Sequence, residues 1–293
     1  MKDALRLLVY FAATILFGAL LAPVLFWTGQ SLAAHSLFSS LAHFDFETFF
    51  HRALLVAAVL LLWPLLRSIH LRNLEDLALR RNGHWPRDLA AGFFLAALPL
   101  LCSGALLLAL HVFSLRIVIN WFSLTKVIGA SIAVPLIEEA FFRGLILGIL
   151  LRSGRTSLAI FLTSALFAIV HFLKAPLHTS AIVTWTSGFN SIAHSFSQFS
   201  NPTMVAASFT TLFLIGWILA DARVLTRSLW LSIGLHAGWI FGSGGFSKIA
   251  HREILALPWL GKNLLIGIVP LGVACLTWML MRGWLKYVGA RKA

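Results

Sequence analysis

Two adjacent glutamates, Glu138 and Glu139, lie in an almost uninterrupted apolar stretch from Val127 to Leu151. A carboxylate at bilayer depth is costly and is therefore rare unless it has a function. Arg143 follows Glu139 by four residues, the spacing at which a carboxylate and a guanidinium meet on a helix. Successive helical residues differ by about 100° in direction, so the two glutamates cannot face the same way. We expect Arg143 to hold Glu139, which leaves Glu138 available for chemistry.

Two of the eleven histidines lie inside apolar runs, His171 at the end of Phe167-Ala168-Ile169-Val170-His171 and His236 within Leu229–Trp239. For either one alone, a hydrogen-bonded core residue is the simpler interpretation. At about 1.5 Å per residue from the predicted span ends, Glu138 and His171 lie roughly 20 Å deep and His236 roughly 10 Å. Because these span ends shift by several residues, the three depths overlap.

A carboxylate and two imidazoles that converge inside a membrane have two routes to hydrolysis. They can hold Zn²⁺ with an open position for water, with Glu138, His171 and His236 as the ligands. They can also act without metal, with Glu138 as general base and the histidines stabilising an oxyanion. The competing interpretation is a buried network of Glu138, Glu139 and Arg143 that only fixes packing.

The elements that must position these residues are membrane helices. The chain is 59% hydrophobic and 11% charged, whereas a soluble domain has about 25% charged residues. Apolar segments of about 20 residues recur, long enough to cross a hydrocarbon core about 30 Å thick. We predict an all-α, polytopic membrane helical bundle that forms one domain over residues 1–293. Its eight expected spans are 7–27, 50–66, 89–113, 127–151, 158–173, 204–220, 229–241 and 264–281.

The net charge of +13 reflects membrane topology and does not indicate nucleic acid. Basic residues cluster in alternate loops, while the intervening loops 28–52 and 174–203 hold almost none. The positive-inside rule then places both termini in the cytoplasm. The basic clusters are Lys2 and Arg6; Arg67, Arg72, Arg80, Arg81 and Arg87; Arg152 and Arg155; Arg223 and Arg227; and Arg282, Lys286, Arg291 and Lys292.

Three motifs occur in order over about residues 127–241. Glu138-Glu139-Ala140-Phe141-Phe142-Arg143 has the form E-E-x-x-x-R, Phe167 to His171 has the form F-x-x-x-H, and His236 begins an H-A-G-W sequence. Together they resemble the CPBP intramembrane proteases, also called the CAAX-protease or ABI family. The resemblance implies a catalytic core over 127–241 that cleaves a membrane-associated or lipidated protein or peptide. By motif, Glu138 activates water, Glu139 and Arg143 support it, and His171 and His236 bind Zn²⁺ or the oxyanion.

The sequence departs from that family at one position. The residue four places after the last histidine is often Asn or another polar residue, and here it is Ile240. Isoleucine cannot hydrogen-bond a tetrahedral intermediate, so Asn190, Asn201 and Ser243 are candidate substitutes. We also expect the polar segment 174–203 to cap the cavity or bind substrate, and Gly242-Ser243-Gly244-Gly245 to form a flexible turn.

The leading hypothesis is an intramembrane endopeptidase of metallo- or glutamate type in a bacterial inner membrane. Its expected partners are membrane lipid and the substrate. Ile240 supports the second hypothesis, a non-enzymatic scaffold or immunity-type factor that retains the protease fold. The third is an ion-coupled transporter, because buried Glu and His also mark proton paths. The lack of an obvious internal repeat weakens it.

Overall fold

The computed structural model describes residues 2–69, 75–79, 83–172, 182–254, 258–261 and 263–290. Nearly all regular structure in these ranges is helical, as predicted. The α-helices are α1 (Lys2–Ala34), α2 (Phe46–Ser68), α3 (Trp85–Ala109), α4 (Trp121–Glu139), α5 (Leu147–Leu151), α6 (Thr156–Phe172), α7 (Ser187–Phe196), α8 (Pro202–Met204), α9 (Thr210–Thr226), α10 (Trp230–Ile249) and α11 (Ile268–Ala290). Short 3₁₀ turns occupy Ser39–His43 and Ser197–Ser200, and π-helical segments occupy Ala140–Ile146 and Val205–Phe209.

Five stretches among the described residues are long and apolar enough to cross a membrane. They are Lys2–Ala34, Phe46–Ser68, Trp85–Ala109, Val205–Thr226 and Ile268–Gly289, and Thr156–His171 is a shorter apolar helix. The chain is therefore a helical integral membrane protein. The count of eight spans stays a prediction, as do the bacterial inner membrane and the cytoplasmic termini.

The chain divides into two compact units, Met1–Arg72 with Leu173–Asn201 and Asn73–Phe172 with Pro202–Ala293. In the first unit, α1 and α2 pack along each other and α7 packs against α1. Its core contains Ala19, Ala22, Phe46, Phe50 and Ala53. The expected polar segment 174–203 falls in this unit, but residues 173–181 lie outside the described ranges. Its role as a cap and the single domain over 1–293 both stay predictions.

The second unit contains all five candidate site residues and is organised around the close packing of α3 on α10. Glycines at Gly234 and Gly238 bring the two backbones together, because a Cβ on either would overlap the carbonyl oxygen of Leu89 or of Phe93, respectively. Small residues at four-residue spacing allow such close approach between membrane helices. Helix α10 also packs on α4, so α10 carries His236 to the glutamate helix.

Helix α10 extends further than the sequence pattern indicates. The turn expected at Gly242-Ser243-Gly244-Gly245 is wrong, because the helix continues through these residues to Ile249. A Cβ on Gly242 would lie 3.2 Å from Leu100, and one on Gly244 would lie 2.9 Å from Val127. These glycines therefore serve helix packing and do not form a turn. Beyond the helix, Ala250–Arg252 (β2) pairs antiparallel with Phe113–Leu115 (β1).

Candidate active site

The first part of the site is a buried ion pair on the glutamate helix. Arg143 Nη1 donates to Glu139 Oε1 at 2.8 Å, and both side chains are fully buried. A second guanidinium nitrogen, Nη2, donates to the carbonyl oxygen of Gly216 on α9 at 3.1 Å. Arg143 lies in the π-helical segment that directly follows Glu139, and such wide turns occur often at functional sites. The expected pairing of these two residues is thus observed in the structure.

The second part joins Glu138 to the histidine of α6. The Glu138 Oε2 atom lies 3.2 Å from His171 Nε2, and the two side chains are 27% and 28% exposed. On the other side of the imidazole, His171 Nδ1 lies 2.8 Å from the carbonyl oxygen of Phe167. Glu138 is therefore the accessible glutamate, in contrast to the fully buried Glu139.

The third part is His236, which contacts both glutamates. Its Nδ1 atom lies 2.8 Å from Glu139 Oε1, and its Nε2 atom lies 3.9 Å from Glu138 Oε2. The structure thus brings Glu138, Glu139, Arg143, His171 and His236 together at one place. It also adds a contact that sequence spacing does not predict, since Glu139 holds His236 as well as Arg143. The chemical roles of these residues stay predictions.

These contacts fix which nitrogen of each imidazole carries a hydrogen. A backbone carbonyl can only accept, so Nδ1 of His171 must be protonated, and an ionised Glu139 imposes the same tautomer on His236. Each Nε2 atom is therefore directed at Glu138, as a lone pair in the neutral ring or as an N–H in the imidazolium. A neutral ring can ligate a metal, whereas only the imidazolium can donate to an oxyanion.

Phe167 packs at the centre of the site and is almost fully buried. The centroid of its ring lies 4.1 Å from that of His171 and 4.4 Å from the guanidinium carbon of Arg143. Its backbone oxygen also orients His171. The first residue of the F-x-x-x-H motif thus contacts both a histidine and the arginine by stacking. The motif spacing alone assigns it no such contact.

Several buried atoms of the site make no aligned hydrogen bond. They are Glu138 Oε2, Glu139 Oε2 and Arg143 Nε. Buried polar atoms are almost always paired, and an unpaired one in a native protein indicates a bound water, an ion or a catalytic role. The site therefore has unused capacity to bind polar atoms next to the accessible carboxylate.

The donors fit Zn²⁺ in chemistry, although His236 lies farther from Glu138 than His171 does. One carboxylate and two imidazoles are common zinc ligands, and each imidazole has the second-nitrogen partner that metal-bound histidines usually have. The two Nε2 atoms lie at unequal distances from Glu138 Oε2, 3.2 and 3.9 Å. Within the described ranges, no three His, Cys, Asp or Glu side chains are spaced as metal ligands. Zinc therefore stays a prediction from the sequence.

Of the candidate substitutes for the polar residue expected at position 240, Ser243 is the one that lies in the same unit as the site. Ser243 follows His236 by seven residues, which is about 10 Å along the helix axis. Asn190 lies on α7 in the first unit, and Asn201 ends that unit. The sequence also missed the two backbone acceptors, Gly216 and Phe167, because any residue type can supply a carbonyl oxygen.

A wide apolar cavity of about 820 Å³ lies between α3, α4 and α10. Its walls include Phe93, Leu136 and Ala237, and Ala237 is the residue next to His236. At the first residues of α3 and α10 the cavity is lined by Trp85 and Trp230, whose ring centroids are 5.0 Å apart. An apolar cavity of this size beside a polar cluster is typical of a ligand site.

Residues 119–242 match the family model described as Type II CAAX prenyl endopeptidase Rce1-like. The matched residues include all five candidate site residues and the whole of the segment 127–241 that carries the motifs. The recognition of a CPBP, or CAAX-protease, segment in the sequence is therefore confirmed. No curated protein and no solved structure matches the chain.

Proposed function

We propose that the chain is an intramembrane endopeptidase that hydrolyses a peptide bond in a membrane-associated, lipid-modified protein. One observation carries the proposal: the partly exposed carboxylate of Glu138 lies 3.2 Å from His171 Nε2, in a segment that matches prenyl endopeptidases. The matched family's description names a prenyl endopeptidase, and the apolar cavity between α3, α4 and α10 suits a prenyl chain. The peptide bond of the substrate would bind at the polar cluster, and its lipid chain would bind in the apolar cavity.

In the proposed reaction, Glu138 activates a water molecule. The partly exposed Glu138 carboxylate accepts a proton from a water that lies beside the scissile carbonyl. The water oxygen bonds to the carbonyl carbon, and the charge that forms on the carbonyl oxygen is stabilised by an imidazolium Nε2–H of His171 or His236. Glu138 then returns the proton to the leaving nitrogen as the C–N bond breaks.

The remaining residues keep these groups in position. Arg143 compensates the charge of Glu139. Glu139 in turn accepts a hydrogen bond from the Nδ1–H of His236 and so orients that imidazole. A carboxylate on the far nitrogen of an imidazole fixes its tautomer and stabilises its charged form. Glu139 and Arg143 therefore support the site without contacting the substrate.

The direct test replaces Glu138 with Gln in the purified protein. The substrate is a membrane peptide with a farnesylated cysteine near its C-terminus, and an unmodified copy is the comparison. We expect the rate of cleavage of the farnesylated peptide, followed by mass spectrometry, to fall by about 10²–10⁴-fold. Glu253→Gln, at an exposed carboxylate, is the control and should keep the wild-type rate. Full activity of Glu138→Gln would exclude the role assigned to Glu138.

The pH dependence of cleavage and its response to a chelator distinguish the metal-free route from the zinc route. If an imidazolium stabilises the oxyanion, activity falls as pH rises and a chelator has no effect. If neutral imidazoles bind Zn²⁺, activity falls as pH drops, because protonation displaces the metal, and a chelator abolishes it. We propose the metal-free route, and the outcome of this test decides between it and zinc.

Ile240 favours a second candidate function, a non-enzymatic membrane scaffold or immunity-type factor. Under that function, the wild-type protein cleaves neither peptide. In cells, Glu138→Ala and His171→Ala would lower the amount of protein but leave the phenotype of the remaining protein intact. Cleavage that depends on Glu138 excludes this candidate.

A further inference from the structure

Helix α9 carries none of the motif residues, yet the segments that carry Arg143, His171 and His236 all contact it. On α9, these contacts involve only backbone atoms and the space left by the missing side chain of Gly216. No sequence motif therefore marks them. They converge on one face of α9 formed by Gly216 and Leu219, which are three residues apart and therefore neighbours on the helix surface.

The first contact holds the glutamate helix. The carbonyl oxygen of Gly216 accepts a hydrogen bond from Arg143 Nη2 at 3.1 Å. Arg143 is fully buried, and its other terminal nitrogen holds Glu139. The position of the α9 backbone therefore determines where the guanidinium lies, and through it where Glu139 lies.

The second contact holds α6. A Cβ on Gly216 would lie 3.1 Å from Ser164 Cα, 3.2 Å from Ser164 Cβ and 3.3 Å from Phe167 Cδ1. These distances are tighter than ordinary contacts, so any side chain at position 216 would push α6 away by a few tenths of an ångström. Glycine is unfavourable inside a helix, and its presence here is explained by this close approach. The space that it leaves is where Phe167 stacks on Arg143 and His171.

The third contact holds α10. The hydroxyl of Ser232 donates to the carbonyl oxygen of Leu219 at 2.9 Å. Ser232 is fully buried and lies one helical turn before His236 on the same face. Other buried serines bond to a carbonyl of their own helix, as Ser164 does to Ile160 and Ser195 to Ser191. Ser232 instead fastens α10 to α9.

We propose that the Gly216–Leu219 face of α9 is a positioning surface that sets the geometry between Glu139, His171 and His236, with Gly216 and Ser232 as positioning residues. This inference rests on the proposed function, since the geometry that it sets is that of the proposed catalytic groups. Neither residue touches the reacting atoms, and both act through Arg143, Phe167 and His236.

The test compares Gly216→Ala, Gly216→Val and Ser232→Ala with two matched controls. Gly129→Ala places a Cβ on a helical glycine that has no neighbour within 4 Å. Ser247→Ala removes a half-buried hydroxyl on α10 that bonds to the carbonyl oxygen of Ser243 in its own helix. Cleavage of the farnesylated peptide is measured per folded molecule, and the amount of folded protein is determined by size exclusion and thermal unfolding.

We expect kcat to fall about tenfold for Gly216→Ala and Ser232→Ala and about 100-fold for Gly216→Val, because displacements of an ångström or less misplace catalytic groups. KM should be unchanged and the pH profile of kcat/KM should shift, since the bond between Glu139 and His236 is altered. Both controls should keep the wild-type kcat and pH profile. A purely structural role would lower the yield of folded protein and leave kcat and the pH profile as in the wild type, which would overturn the proposal.

A second measurement does not depend on activity. The Nδ1–H proton of His236, hydrogen-bonded to Glu139, gives a downfield NMR signal in the folded protein. We expect this signal to move or broaden in Gly216→Val and Ser232→Ala and to stay in place in Gly129→Ala. A wild-type protein that cleaves nothing would refute the proposed function, whereas an unchanged signal in both α9-face variants would refute the positioning surface.

Discussion

Two buried carboxylate clusters of the second unit, the candidate active site and the cluster around Asp221, are built in opposite ways. In the Asp221 cluster, both carboxylate oxygens are paired: Arg282 donates Nε to Oδ2 at 2.9 Å and Nη2 to Oδ1 at 2.8 Å, and Trp278 donates Nε1 to Oδ2 at 2.8 Å. This cluster joins α9 to α11, and each carboxylate oxygen of Asp221 accepts at least one hydrogen bond. A bidentate pair of this kind is among the stronger polar contacts in proteins.

The candidate active site leaves atoms unpaired where the Asp221 cluster leaves none. Glu138 Oε2, Glu139 Oε2 and Arg143 Nε make no aligned hydrogen bond although they are buried. Burying such atoms costs stability, so a site that only fixed packing would be expected to resemble the Asp221 cluster. The difference favours function at Glu138 and a structural role at Asp221.

The largest effect is expected from breaking the buried pair of the site. Arg143→Met leaves Glu139 charged in a fully buried position and should lower the free energy of unfolding by about 3–5 kcal/mol. The double variant Glu139→Gln/Arg143→Met removes both charges and should recover most of that loss without recovering cleavage. Thermal unfolding in detergent measures both variants. Equal destabilisation of the single and double variants would contradict this account of the ion pair.

Asp221→Asn tests the other side of the comparison. It weakens contacts to Arg282 and Trp278, but the Arg282 side chain is 49% exposed, so water replaces part of what is lost. We expect a loss of about 1–2 kcal/mol in the free energy of unfolding and an unchanged cleavage rate per folded molecule. A rate that falls as far as in Glu138→Gln would show that the two clusters do not differ in function.

The comparison also explains what the sequence could predict. The pairing of Glu139 with Arg143 follows from i, i+4 spacing, and the convergence of Glu138 with His171 and His236 follows from apolar depth and the motifs. The contact between Glu139 and His236 joins residues on α4 and α10 and depends on how those helices pack. One close approach between them is at Gly244, where a Cβ would lie 2.9 Å from Val127, and a glycine in an apolar run does not reveal which helix it faces.

The same limit accounts for the turn wrongly expected at Gly242–Gly245. Glycine clusters favour turns in isolation, but Leu100 and Val127 lie against two of these glycines and the helix continues. Tertiary packing outweighs local propensity at this position. The bond from Arg143 to Gly216 is equally invisible in the sequence, because its acceptor is a backbone oxygen.

Glu138→Gln should have a smaller effect on stability than Arg143→Met or Asp221→Asn, although we expect it to lower cleavage the most. The variant neutralises a carboxylate that the fold does not fully satisfy, so we expect the free energy of unfolding to change by less than about 1 kcal/mol or to increase. Thermal unfolding, with and without a farnesylated peptide, measures this change in the free energy of unfolding. Destabilisation as large as that of Arg143→Met would place Glu138 with the structural charges and weaken the contrast.

The smallest effect is expected at Glu253, an exposed carboxylate that extends the comparison to the surface. A hydrogen bond from the Ser114 side chain lowers the pKa of Glu253, and nearby His251 lowers it further. A lowered folded-state pKa contributes stability that is present above the unfolded pKa and is lost as the pH falls through the folded value. Glu253→Gln should therefore leave thermal stability at pH 7 almost unchanged and slightly reduce its decline below about pH 4. Thermal unfolding across that pH range measures the difference. A large loss of stability at pH 7 would show that the exposure of a carboxylate does not predict how much it contributes to stability.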